Sequence, residues 1–139
     1  MEPWAQELVD LWRGNRERIA RLFQEAVDKN PDMPIKYTFE DFLQMVDGGA
    51  AMIAEHLEGA TTEIWDTFIN SVIPGILSQG QPLSGLVGQL TMNGMLIHSL
   101  LVPLASEHHR EQVGTGLINY YVKFNSEVVK IGIELGVKS

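Results

Sequence analysis

Apolar residues recur at steps of three and four along almost the whole chain. Trp4, Leu8, Leu11, Trp12, Ile19, Leu22, Phe23, Ala26 and Val27 form one helical stripe opposite a charged face. Pro3 suits the first turn of this helix, and Asn30, Pro31 and Pro34 end it in a loop. A second helix opens at Thr38, where Asp41 three residues on makes a capping box. Its stripe is Phe39, Phe42, Leu43, Val46, Ala50, Ile53 and Leu57. Gly48 and Gly49 fall inside it, each costing about 1 kcal/mol relative to alanine. The unbroken periodicity predicts a close neighbour at these glycines rather than a break. Thr61 or Thr62 caps a third helix carrying Ile64, Trp65, Phe68, Ile69, Val72, Ile73, Ile76 and Leu77. Pro74 lies within that stripe and predicts a kink or an end between Asn70 and Pro74.

The segment Ser78 to Pro82 reads as a turn, and from Leu83 to Ala105 the pattern changes. Leu86, Val87, Leu90, Met92, Met95, Leu96, Ile97, Leu100, Leu101 and Leu104 cover nearly the full circumference, with no charged residue. A helix apolar all round predicts a buried central element. Ser106 with Glu107 opens a last long helix, whose stripe runs Val113, Leu117, Tyr120, Tyr121, Phe124, Val128, Ile131 and Leu135 to Gly136. The expectation is an all-α chain of about five helices, since no segment alternates with a strand's period of two.

The 139 residues fit a single domain, 1–139, with a real core. Without cysteine there are no disulfides and no thiolate chemistry. The net charge of −8 sets the chain against nucleic acid and anionic membrane surfaces. The bases Arg13, Arg16, Arg18 and Arg21 alternate with Glu7, Asp10, Glu17 and Glu25, a salt-laced exposed face. Met1 to Asp10 has no basic leader, and the Gly94 to Ala105 run, interrupted by His98 and Pro103, falls short of the roughly 20 residues of a membrane span. A cytoplasmic protein without nucleic-acid or membrane partners is expected.

Chemistry-bearing motifs are sparse. Gly114-Thr115-Gly116 is too short for a phosphate loop, and no His-Glu-x-x-His or paired Glu-x-x-His pattern occurs. Glu107-His108-His109 puts neighbours about 100° apart on a helix, which does not suit a shared ion. No nucleophile is paired with a base by spacing, so no catalytic or metal site is expected. His98, on the central helix, reads either as a core histidine bonded to its neighbours or as a contact in an interior pocket. Asn93 and Asn70 are amides within apolar stripes and need partners. Together with His98 they would form the polar end of a greasy cavity, lined by Phe68 and the adaptable Met45, Met52, Met92 and Met95. Plain core packing is the alternative for all of these.

Gln79-Gly80-Gln81-Pro82-Leu83, the leucines Leu86 and Leu90 with Ile97, and Tyr120-Tyr121-x-x-Phe124 before Glu127 to Gly136 resemble the non-haem globin-like sensor domains of bacteria. These include stressosome N-terminal domains and sporulation-inhibitory sensor-domain proteins. The resemblance covers Leu77 to Gly136. It implies a globin-like helical sandwich around the central helix 83–105, and a signalling role with a protein partner. It also implies homodimerisation through the last helices, for which Tyr120, Tyr121, Phe124 and Val128 are the candidate face. Some members hold a fatty acid or similar apolar ligand where haem would sit. The comparison argues against haem: a globin's ligating histidine precedes the last two long helices, whereas His98 lies within the next-to-last. The resulting expectation is a non-catalytic, ligand-responsive sensor without cofactor. A structural or adaptor protein, and a haem globin or gas sensor using His98, remain as alternatives.

Overall fold

A computed structural model describes residues 1–31, 33 and 35–137. Pro34, expected to shape the first loop, lies outside them. The described residues form helices joined by loops, with no strand: α1 (Pro3–Gly14), α2 (Arg16–Asp28), α3 (Phe39–Glu58), α4 (Glu63–Thr67), α5 (Ile73–Ser78), α6 (Leu83–Leu101) and α7 (Arg110–Glu134). A π turn, Phe68–Val72, joins α4 to α5 as one rod, so the seven segments make six rods.

The sequence predicts one rod over α1 and α2, and the structure breaks it. Asn15 leaves the helical region (φ −113°, ψ 24°), and its side-chain amide donates to the Leu11 carbonyl at 2.8 Å. A short amide side chain that competes for a backbone acceptor in this way ends a helix locally. α3 opens on the capping box: Thr38 Oγ1 accepts from Asp41 N, and Asp41 Oδ2 accepts from Thr38 N. It runs unbroken through Gly48 and Gly49. A Cβ on Gly49 would lie 2.9 Å from Cζ2 of Trp12, whose Nε1 donates to the Val46 carbonyl at 3.0 Å. The helix therefore gives up a side chain at Gly49 to seat an indole. Gly59 ends α3 at φ 77°, where an L side chain would be strained.

The threonines are not the main cap of α4. Glu55, buried near the end of α3, accepts from Ile64 N at 2.7 Å and Trp65 N at 3.0 Å. One carboxylate thus satisfies two open N–H groups at the start of a helix and meets its positive end. Ser106 does not cap the last helix either. It precedes a 3-10 turn, Glu107–His109, and its hydroxyl donates to Glu7 Oε1 at 2.7 Å.

α3 packs on α1 and α2, α6 on α2 and α7, and α7 on α1 and the π–α5 half of the split rod. The core between them holds Leu8, Trp12, Ile19, Phe42, Ile53, Ile73, Ile97, Leu101, Leu117 and Val128, all but sealed from solvent. Burial of each aliphatic member contributes about 1.5–3 kcal/mol. α6 and α7 run antiparallel, since Leu83 meets Gly132, Gly94 meets Tyr121 and His98 meets Gly114. α6 is not buried on all sides as its composition predicts: Met92 and Met95 are 45% and 60% exposed. By length and composition alone, the 22 residues Leu83–Leu104 also match a membrane span, with mean hydropathy 1.3 and 33% of the span's window buried in the protein.

Candidate functional site: a largely apolar cavity

The split rod owes its geometry to Pro74. Proline has no N–H for the Asn70 carbonyl, and its ring crowds that carbonyl. The chain accommodates this with a π turn, in which Ile73 N donates to the Phe68 carbonyl five residues back. The expected disturbance between Asn70 and Pro74 is therefore a π turn within a continuing rod. It forms one wall of a cavity of about 1030 Å³, to which it contributes Phe68 and Val72. α3 supplies Met45, Gly48, Gly49 and Met52; α2 and the following loop supply Phe23, Val27, Met33 and Ile35. Leu86, Gln89, Leu90 and Asn93 of α6, with Tyr120, Tyr121 and Phe124 of α7, line it from the other side. Aromatic contacts tie the walls together, with Phe68 and Trp65 at 5.5 Å and 5.7 Å from Phe124.

Charge is confined to Lys36, Asp41 and Glu63 in this lining. Lys36 and Glu63 are exposed, and Asp41 is engaged in the α3 cap. Deeper positions carry only neutral groups. Burial raises the phenol pKa of both Tyr120 and Tyr121 above its ordinary value of 10, so both keep their protons. The Tyr120 hydroxyl is shielded from solvent and has no hydrogen-bond partner among the described residues. Three amides form a directed chain: Asn30 Nδ2 donates to Gln89 Oε1 at 3.1 Å, and Gln89 Nε2 donates to Asn93 Oδ1 at 2.8 Å.

The predicted ligand-site residues separate. Met45, Met52, Phe68 and Asn93 come together on the cavity. Asn70 is exposed on the π turn, Met92 is exposed on the outer face of α6, and neither lines the cavity. His98 is also absent from the lining, half-buried instead against α7, with Nε2 3.3 Å from where a Gly114 Cβ would stand. No histidine lines the cavity, so a haem held there would not find its ligand in His98.

The predicted dimer face is not on the surface. Tyr120, Phe124 and Val128 are 3% exposed or less, and Tyr121 is half-buried on the cavity wall. This stripe faces the protein's own interior, as an amphipathic stripe ordinarily does. α7 exposes a different apolar set: Ile118, Val122 and Ile133 are 54%, 61% and 69% exposed. With Met92 and Met95 they give the outer faces of α6 and α7 an apolar strip, bridged by a 3.0 Å hydrogen bond from Asn125 Nδ2 to Thr91 Oγ1.

Sequence reasoning missed Gln89, Tyr121 and Gly48 as cavity residues. The signal for Gln89 was its place four residues before Asn93 on a charge-free helix, the spacing of an amide pair. Among the described residues, no group of three or more His, Cys, Asp or Glu side chains gathers to hold a metal. In comparisons with known proteins, no family model matches this chain, and neither a curated protein nor a solved structure does.

Proposed function

We propose that this protein is a non-catalytic regulatory module that binds an apolar small molecule between α3, the split rod, α6 and α7. The cavity carries this reading. Its volume of about 1030 Å³ is at the top of the range of small-molecule sites, and its lining has their composition, apolar and aromatic with few polar groups. α6 and α7 present their inner faces to the cavity and their outer faces to solvent. A ligand preferring one arrangement of these two helices would change the surface they present, the elementary step of a sensor.

Gly48 supplies the test, because it lines the cavity and a Cβ there meets nothing within 4 Å. Gly48→Leu and Gly48→Trp would fill the space without disturbing the core. The apolar fluorophore N-phenylnaphthylamine should bind the natural protein with saturation and lose affinity in step with side-chain size at position 48. Saturable binding indifferent to both substitutions would place the dye elsewhere and remove the support for this reading.

A second reading, homodimerisation, is favoured by the outer strip of α6 and α7. Two copies each carrying −8 repel, and α6 offers a face without charged side chains through which they can meet. Exposed apolar strips of this kind mark interaction sites. Sedimentation should show a dimer that Val122→Glu converts to monomer. A natural protein monomeric at every concentration would leave the strip to a different protein partner, as in an adaptor.

A further inference from the structure

We infer that the ligand of this cavity is a neutral molecule with a carbonyl oxygen, a ketone, quinone or ester of lipid size, and that Asn93 donates a hydrogen bond to that oxygen. The inference rests on the cavity being a binding site and adds the chemistry of its contents.

The amide chain carries it. Gln89 is 4% exposed and has its orientation set from both sides, since its oxygen accepts from Asn30 and its nitrogen donates to Asn93. As the three side chains stand, the chain runs from Asn30 through Gln89 to Asn93. The Asn93 oxygen is thereby committed to Gln89. Its two N–H groups meet no acceptor among the described residues, and Asn93 lines the cavity. Donors in series polarise one another, which sharpens the last N–H as a donor. Asn93 thus offers donation by a neutral group, and a carbonyl oxygen complements it.

Charge excludes the nearest competitor. A carboxylate carried into this interior would meet phenols, amides and hydrocarbon, with no cation to balance it. Burying an unpaired carboxylate is among the costliest transfers in protein chemistry. Lys36 lies at the exposed rim, where a carboxylate would remain in water. A fatty acid held with its carboxylate at the rim would leave the partly buried Asn93 amide without a ligand acceptor, and so without the affinity of that bond.

Three probes separate the possibilities: Prodan, a neutral naphthyl ketone; N-phenylnaphthylamine, apolar and without a carbonyl; and laurate. Prodan should bind, with its carbonyl stretch below that in hexane. Asn93→Leu should weaken Prodan about fivefold to tenfold, the effect of one neutral hydrogen bond, while leaving N-phenylnaphthylamine unchanged. Laurate should displace Prodan poorly. Unaltered Prodan affinity in Asn93→Leu, or tight laurate binding indifferent to that substitution, would overturn the inference and leave the cavity as a site of other chemistry. If Asn93→Leu does not fold, the carbonyl stretch in the natural protein decides, and an unshifted band overturns the inference. Failure of all three probes to bind would sink the cavity reading itself.

Discussion

Gly48 and Gly49 are adjacent and alike in sequence, but the structure gives them opposite tasks. At Gly49 a methyl group would press on the buried Trp12 ring, 2.9 Å away, and at Gly48 it would meet open space. Gly49→Ala should therefore destabilise by about 1–3 kcal/mol, the cost of overpacking less the gain in helix propensity. Gly48→Ala should stabilise by about 0.5–1 kcal/mol through propensity alone. Urea unfolding of the two variants checks both signs, and equal effects would contradict the packing described. The same logic extends to Gly94, where a Cβ would come 2.7 Å from the Tyr121 ring. Gly94→Ala should cost at least as much as Gly49→Ala in that assay, because the ring it displaces is held in the cavity wall.

The elements were legible where local rules act alone. The capping box at Thr38 and the amphipathic stripes of α3 and α7 follow from spacing, and Pro74 announces its own disturbance. The break at Asn15 was hidden because the apolar stripe stays in phase across it. Glu55 was hidden because its partners, Ile64 N and Trp65 N, lie across a turn that no local pattern spans. Glu55→Ala should cost about 2–4 kcal/mol, since it removes two charge-assisted bonds and strands two N–H groups. Chemical denaturation measures this, and a change within about 0.5 kcal/mol, the range of an ordinary surface site, would refute the role.

Glu7 joins α1 to the turn before α7 and gives this connection a pH dependence. Hydrogen bonds from Ser106 and His109 hold its carboxyl down at about 2, below the ordinary 4.5. The folded state thus favours the ionised form. The stabilisation is full above about pH 4.5 and is lost as pH falls toward 2. The difference in thermal midpoint between the natural protein and Glu7→Gln should be at full width above about pH 4.5 and narrow as pH falls toward 2. A difference that grows on acidification would contradict the sign.

For the whole molecule, the all-helical class could be read from periodicity, but inside and outside on α6 could not. An apolar helix carries no polar face to orient it, so Met92 and His98 were assigned to a site they do not join. For α7 the error ran the other way. The stripe Tyr120, Phe124 and Val128 was assigned to a partner when the protein's own interior already takes it. Periodicity reports that a face is covered, and only the packed structure reports by what. The cavity emerges at this scale, because its walls come from α2, α3, the split rod, α6 and α7 at once.

Native mass spectrometry of the freshly purified protein, with organic extraction alongside, tests that cavity most directly. The account predicts an excess mass of a small lipid-like molecule that extracts into organic solvent, is neutral and carries a carbonyl, and is lost in Gly48→Trp. A clean polypeptide mass, in a protein that also fails to bind N-phenylnaphthylamine, would contradict it.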